Sequence, residues 1–393
     1  MASARARLFR KRGEGGHQPV TFIELFFDLV FVFAITQLSH GLLDHLTPLG
    51  LAQTLLLAFA VWWAWIYTSW VTNWLDPDHP LVRLVLLALM LIGLGMSTSL
   101  PRAFGDGGMA FALSYVALQL GRSLFMLWAL RSVNPANHRN FIRITLWLSL
   151  SGLLWIGGAA MDGGARMALW IAAAALEFIG PAMAFRVPGL GRSSTADWNV
   201  AGGHMAERCA LFIIIALGEA IVVTGATFST LAKDAATTAA FLASFSGSAV
   251  MWWIYFDSGV HRGSDRIAHS DDPGRIARIA YTYFHLPIVL GILIVAVADE
   301  LVLSHPLGHV SPSLAWTAIG GPAVFLCGTM LFKQVIANRW LPLPPLSHLV
   351  GLALLSGIAL VHGSFSPVAL SIATTGALVV VALWEYRALR TPA

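Results

Sequence analysis

The sequence has few charged residues. Only 11% of its 393 residues are Asp, Glu, Lys or Arg, whereas 57% are hydrophobic and the mean hydropathy is +0.73. A soluble domain has about 25% charged residues, so a chain of this composition does not cover a water-facing surface of this size. Disorder is excluded too, because disordered chains are poor in apolar residues and rich in charge. The composition therefore predicts a polytopic membrane protein.

Cysteine is nearly absent, and the usual catalytic motifs are missing. Cys209 and Cys327 each lie inside an apolar run without metal-ligand spacing, which excludes a disulfide scaffold. The sequence has no P-loop, dinucleotide fingerprint, His-Glu-x-x-His or Gly-x-Ser-x-Gly. We therefore assign no catalytic residue, no cofactor and no metal. We attribute the net charge of +4 to membrane orientation and not to nucleic-acid binding.

Twelve apolar runs are long enough to cross the hydrocarbon as helices, which requires about 20 residues each. They predict an all-α transmembrane helix bundle. The predicted spans are 20–43, 50–73, 81–100, 109–130, 141–161, 166–185, 207–228, 238–257, 277–303, 313–333, 345–363 and 366–386.

Lys and Arg concentrate in alternate connecting segments. The positive-inside rule then predicts an even number of spans, with both termini cytoplasmic. The first run is too long for a signal-peptide core and is expected to remain as a helix. The expected organisation is a cytoplasmic N-terminus (1–19), a first six-helix half (20–186), a cytoplasmic linker (187–206), a second six-helix half (207–386) and a cytoplasmic tail (387–393).

The two halves also resemble each other. Residues 60–67, rich in Trp and ending in Ile-Tyr, are similar to residues 249–255, and an Asp-Pro pair precedes both the third and the ninth span. Halves of six helices would run parallel, related by an axis along the membrane normal. The alternative is chance similarity between apolar segments.

Ionisable groups inside the spans are the most informative residues, because each costs about 2.5–3.5 kcal/mol to insert and so needs a partner or a wet cavity. In span 1, Glu24 and Asp28 are four residues apart and share a helix face. Stacked carboxylates of this kind bind a cation or relay protons. The alternative is that Glu24 lies at the cytoplasmic interface and only Asp28 is buried, paired with an arginine for structure.

Span 7 carries a second set of ionisable groups. His204, Glu207 and Arg208 have i, i+3, i+4 spacing and are expected to touch within one turn, although two ligands without a third do not make a metal site. Glu219 follows Arg208 by eleven residues, so it lies on the same face about 16 Å along the axis. Glu219 is the leading transport or ion-binding candidate, and a structural ion pair is the alternative.

Spans 4, 6 and 9 each add one candidate. Arg122 and Glu177 are lone charges in their spans, so each is expected to neutralise an opposite charge, and the sequence leaves several carboxylates open as partners of Arg122. His285 suits a proton relay, because histidine titrates near neutral pH, or else it bonds to a neighbouring carbonyl. Asp299 follows His285 by fourteen residues and so faces the same way. The Asp299-Glu300 pair is expected to cap the outer end of span 9, and a functional role beside His285 is the alternative.

Three stretches resemble the bacterial low temperature requirement A (LtrA) family. They are 24–34, 207–219, and 285–289 with the later Asp299-Glu300. The resemblance covers about residues 20–385 and implies a polytopic inner-membrane protein, linked by name to growth in the cold, without a defined activity. Residues 27–36 are also similar to the Phe-Ser-Asp motif that opens each half of two-repeat, six-helix potassium channels, with Phe27 in place of the serine.

The functional hypothesis is transport or permeation of a small ion or solute, with proton coupling as an option, through a polar seam. The seam is expected to bring together Asp28, Glu219, Arg122 and Glu177. The expected partners are the lipid bilayer and an unidentified small ion or solute, and a homo-oligomer is left open. The alternatives are a lipid-modifying or lipid-binding membrane protein and a non-catalytic scaffold. A lipid enzyme requires a cavity that holds an acid and a base, whereas a scaffold requires only closed ion pairs.

Overall fold

The computed structural model describes residues 5–10, 18–194, 198, 200–257, 267, 270–337 and 346–390. Twelve long helices run through these residues, which confirms the all-α prediction. In chain order they are α1 (Phe22–Asp44), α2 (Pro48–Trp74), α3 (Pro80–Ser99), α4 (Gly108–Leu130), α5 (Pro135–Ala159), α6 (Gly163–Ala182), α7 (Gly202–Thr230), α8 (Ala235–Tyr255), α9 (His285–Ser304), α10 (Pro312–Ile336), α11 (Leu346–Val361) and α12 (Pro367–Arg390). Parts of the predicted N-terminus, linker and tail lie outside the described residues.

Several helices begin where a capping side chain precedes a proline. The side chains of Asn134 and Ser311 accept backbone hydrogen bonds from the first turns of α5 and α10, and Pro135 and Pro312 follow at the first helical position. Proline suits this position because its missing N–H would have no helical partner there. Helix α5 therefore begins earlier than the predicted span 141–161.

Eleven helical segments among the described residues are long and apolar enough to cross a membrane. The chain is thus a multi-pass membrane protein. Helix α8 is the long helix outside that set, because its Ser, Thr and Trp residues lower its hydropathy. Exposed leucines such as Leu84 and Leu91 on α3 suit a lipid-facing surface, where backbone groups are already paired within the helix.

The chain divides into two compact units. The first contains Met1–Gly41, Pro48–Arg208 and Ser270–Arg278. Within it, helices α3 to α6 pack on one another in chain order, and α2 packs on α4 and α6. Most of α2 is buried, including Trp62 and Trp63. The tryptophans of α2 therefore act mainly as packing residues of the first unit.

The second unit contains Leu42–Thr47, Cys209–His269 and Ile279–Ala393. Helix α12 packs against α8, α9, α10 and α11. A π-helical segment, Ala277–Tyr283, leads into α9. The repeat relation between the two predicted halves stays a prediction.

Glycines allow α9 and α10 to approach until their backbones touch. A Cβ atom on Gly291 would lie 2.5 Å from the backbone nitrogen of Phe325, and one on Gly321 would lie 2.9 Å from that of Val295. Small residues permit this approach between membrane helices, where packing and not the hydrophobic effect holds the helices together. The α9–α10 contact therefore depends on these glycines.

Replacing Gly321 with alanine is expected to destabilise the protein by about 1–3 kcal/mol, because the added methyl group overpacks a backbone contact. Gly320 is the matched control, since a Cβ there meets nothing within 4 Å. Thermal unfolding of the purified protein in detergent should give a lower midpoint for Gly321→Ala than for Gly320→Ala. Equal midpoints would contradict the close approach.

Candidate functional site

An ion pair between Asp28 and Arg208 joins α1 to the start of α7 within the first unit. Arg208 Nη1 donates to Asp28 Oδ2 and Nη2 donates to Oδ1, both at 2.9 Å. Both side chains are 0% exposed. Trp65 Nε1 donates to the same Oδ1 at 2.7 Å, and its ring centroid lies 5.4 Å from the guanidinium carbon. Bidentate arginine–carboxylate pairs are among the strong hydrogen-bonded contacts in proteins, so Asp28 is fully engaged.

One turn away, Glu24 and His204 link the same two helices. His204 Nε2 lies 3.0 Å from Glu24 Oε1, and Asn73 Nδ2 lies 3.1 Å from His204 Nδ1. Ala201 orients the Asn73 amide, because its N–H donates to Oδ1 and its carbonyl accepts from Nδ2. Asn73 thus donates to Nδ1, and Nε2–H of His204 donates to Glu24. Each helix contributes its two members at i, i+4 spacing.

The N-terminal segment closes the Glu24 side of this cluster. Arg10 Nη2 donates to Glu24 Oε2 at 2.9 Å, and Arg10 Nε donates to backbone carbonyls at the end of α2. Glu24 is fully buried, so the alternative in which only Asp28 is buried is wrong. Glu207 accepts a hydrogen bond from the backbone N–H of Val20 at 3.2 Å. Glu24, Asp28 and Glu207 therefore each accept a hydrogen bond.

Helix α2 supplies partners on two adjacent faces. Trp65 and Ser69 contact the ion pair, with the arginine Nη2 donating to Ser69 Oγ at 3.3 Å. The Ala64 carbonyl and the Thr68 hydroxyl instead accept from Arg122 Nη1, at 3.1 and 2.9 Å. Each pair has i, i+4 spacing, so each lies along one face of the helix. One buried helix thereby positions two separate arginines.

Glu177 lies at the centre of a cluster formed by α4, α5 and α6. Tyr115 OH and Gln119 Nε2 donate to its Oε2, the latter at 3.1 Å. Ser151 Oγ and Trp155 Nε1 donate to its Oε1 at 2.8 and 2.9 Å. The side chain is 4% exposed. An ionised carboxylate is an acceptor only, and four donors satisfy it.

Arg122 reaches Glu177 only through Gln119. Its Nη2 donates to Gln119 Oε1, and no ion pair joins Arg122 to a carboxylate within the described residues. The prediction of a direct partner for Arg122 is therefore wrong. Asp28 and Glu177 belong to different hydrogen-bond clusters of the first unit, so the structure does not bring these two carboxylates together. Glu219 belongs to the second unit, and its place in the predicted seam stays a prediction.

Glu219 differs from the acidic residues of the first unit. It lies near the middle of α7 and is 7% exposed. Across the described parts of the chain it makes neither a hydrogen bond nor an ion pair. A carboxyl group in this setting is available to take up a proton or a cation.

His285 starts α9, directly after the π-helical segment. Its Nδ1 lies 2.8 Å from the carbonyl oxygen of Ala280, and Nε2 lies 2.7 Å from Tyr255 OH. Since a carbonyl only accepts, Nδ1–H donates to Ala280 and Nε2 accepts from Tyr255. The rings of Tyr281 and Phe332 pack against the imidazole. This geometry matches the packing alternative, with a hydrogen bond to a neighbouring carbonyl.

The second unit contains one polar cluster that the sequence did not predict, and one residue, Asp299, whose predicted position is wrong. Lys333 Nζ donates to Glu385 Oε2 at 2.6 Å, and His348 lies beside the same carboxylate at 3.4 Å. Asp299 is buried at 5% exposure and does not cap a helix at the surface. The expected capping role of Asp299 is wrong because neighbouring helices cover this part of α9. A Ser-x-x-Thr-Thr run on α12, opposite Asp299, is the signal that could have indicated the burial.

A cavity of about 280 Å³ in the first unit bears on lipid chemistry. Its lining residues are Phe9, Arg10, Trp74, Met126, Leu130, Val133, Asn134 and Asn137. Among the described residues, this lining includes no carboxylate and no histidine, and Arg10 already holds Glu24. The described lining therefore does not supply the acid and base that a lipid-modifying enzyme requires.

Comparison with known proteins identifies the family. A sequence model of the bacterial low temperature requirement A protein (LtrA) matches residues 19–383. The chain belongs to the LtrA family. It is also 43% identical over 371 residues to the uncharacterized protein RA0937 of Rhizobium meliloti (strain 1021), covering 94% of this chain and 90% of that protein. No solved structure matches the chain. The resemblance expected from the sequence is thus confirmed.

The stretches that carry the LtrA resemblance also carry the buried charges. Residues 24–34 and 207–219 supply the two sides of the Asp28–Arg208 pair. The stretch from 285 to 300 supplies His285 and Asp299. In this LtrA protein, motif residues far apart in the chain therefore meet as hydrogen-bonded partners.

Removing one member of the Asp28–Arg208 pair should be severely destabilising. Asp28→Leu or Arg208→Met alone is expected to cost about 3–5 kcal/mol, because the remaining charge stays buried without its partner. The double variant should recover most of that loss, since neither charge remains. Thermal unfolding of all three variants in detergent forms a double-mutant cycle.

The exposed Arg83–Asp78 pair is the control for this cycle. Its side chains are 49% and 71% exposed, so Asp78→Asn should cost less than about 1 kcal/mol. Additive losses for Asp28→Leu and Arg208→Met would contradict a closed pair.

Proposed function

We propose that this LtrA protein transports or conducts protons or a small cation across the bacterial inner membrane, with both termini in the cytoplasm. Glu219 is the carrying carboxyl group. The observation behind the proposal is the contrast between Glu219 and the carboxylates of the first unit. Asp28, Glu24 and Glu177 are saturated with donors, whereas Glu219 is buried mid-helix without a described partner.

An intramembrane carboxyl group without a counter-charge can bind a proton or a cation, whereas a carboxylate in a closed ion pair cannot do so without losing its partner. Leaving a charge in the hydrocarbon costs about 2.5–3.5 kcal/mol on insertion scales, and binding a proton or a cation removes that cost. Asp28 already has a fixed arginine partner, which supports a structural role for Asp28 within the first unit. The transport role therefore falls on Glu219.

The expected result of Glu219→Gln is the loss of ion flux, because the amide neither ionises nor carries the ion. Purified protein is reconstituted in liposomes, and uptake driven by a pH, Na⁺ or K⁺ gradient is recorded with internal dyes. Wild-type flux should exceed that of empty liposomes, and flux through Glu219→Gln should equal it. Monodisperse elution and an unchanged melting temperature establish that the variant is folded.

Asp106→Asn is the matched control, since Asp106 lies outside the long helices in an exposed pair with Arg102. Its flux should equal that of the wild type. A wild-type protein that carries none of these cations would overturn the proposal, as would full flux through folded Glu219→Gln.

A further inference from the structure

Asp299 is a second buried carboxyl group in the second unit. It lies near the end of α9, is 5% exposed and takes part in no ion pair among the described residues. The Ser244 hydroxyl of α8 lies beside it and can donate to the carboxylate. Within 3.5 Å, however, neither Asp299 Oδ2 nor Ser244 Oγ reaches a hydrogen-bond partner among the described residues. Asp299 Oδ2 therefore keeps unused acceptor capacity.

Asp299 adjoins a cavity of about 20 Å³, which is room for one water-sized sphere. Asp299 lines the cavity from α9, and three hydroxyl residues line it from α12: Ser371, Thr374 and Thr375. Their i, i+3, i+4 spacing places all three on one face of α12. The lining residues thus include one that carries a carboxylate and three that carry hydroxyl groups, beside apolar residues.

A proline inside α10 also lies at this cavity. Pro322 lies inside α10 and has no N–H, so the carbonyl of Ala318, four residues earlier, loses its helical hydrogen bond. Both Ala318 and Pro322 line the same cavity. Carbonyls released at helix breaks are groups that coordinate Na⁺ in membrane transporters.

We propose that this cavity binds a small monovalent cation, with Na⁺ as the representative ion, through Asp299 and the surrounding hydroxyl and carbonyl oxygens. One carboxylate balances one positive charge, whereas a divalent ion would leave an unpaired charge in the hydrocarbon. A hard cation takes oxygen ligands from several sides, and a proton needs only one oxygen. The hydroxyl groups around the carboxylate therefore favour a metal cation over a proton.

The test measures binding alone and so does not depend on transport. The full-length protein in detergent is melted in rising NaCl, with choline chloride keeping the ionic strength constant. A ligand that binds only the folded state raises the melting temperature in a concentration-dependent way. The wild type should show a rise with Na⁺ that choline does not reproduce. Asp299→Asn should remove the Na⁺ dependence.

Glu300→Gln is the matched control, because Glu300 is the next residue on α9 and does not line the cavity. It should retain the full Na⁺ response. Thr374→Val provides a second variant that keeps the carboxylate and the side-chain shape. It should raise the half-saturating Na⁺ concentration about tenfold, since a contact with a charged group is worth about that factor.

Three results would overturn the proposal. The first is a wild-type protein whose melting temperature responds equally to Na⁺ and choline. The second is a melting temperature that changes with pH but not with Na⁺, which would make Asp299 a proton site. The third is an unchanged Na⁺ response in Asp299→Asn, or in Thr374→Val if Asp299→Asn does not fold.

Discussion

The rest of this structure depends on neutralising charges inside the bilayer, and the bidentate pair between Asp28 and Arg208 does this for the first unit. A charge inside a bilayer needs a partner or a water-filled cavity, and here two fully buried charges from different helices neutralise each other. The pair requires Trp65 and Ser69 on the same face of α2. It also fixes how α1, α2 and the start of α7 meet, because a guanidinium fork matches a carboxylate in few geometries.

The two units solve the problem of buried charge differently. In the first unit, each acidic side chain discussed accepts hydrogen bonds. The donors to Glu177 are neutral groups, and one of them, Gln119, also accepts a hydrogen bond from Arg122. Such complete networks favour a single rigid arrangement. In the second, Glu219 and Asp299 retain unused capacity. This difference supports the assignment of structural roles to the first unit and ion-handling roles to the second.

Much of the fold follows from the sequence, because the length and spacing of apolar runs are set directly by the bilayer. The site was predicted less completely. Glu24, Asp28 and Arg208 are recognisable in the sequence as charges within or next to apolar spans. Their pairing depends on which helices are neighbours, and a single sequence does not show helix neighbours. Arg122 was expected to bond a carboxylate, yet Gln119 intervenes. The sequence predicts a cap at Asp299, but residues of the distant helix α12 lie beside it, and a single sequence does not show that contact.

The central claim is that the first unit holds its charges for structure while Glu219 carries the ion. The most direct test is proton flux in liposomes for the double variant Asp28→Leu with Arg208→Met, beside wild type and Glu219→Gln. The account predicts wild-type flux in the folded double variant and flux equal to that of empty liposomes in Glu219→Gln. Loss of flux in a folded double variant, with flux retained in Glu219→Gln, would contradict it.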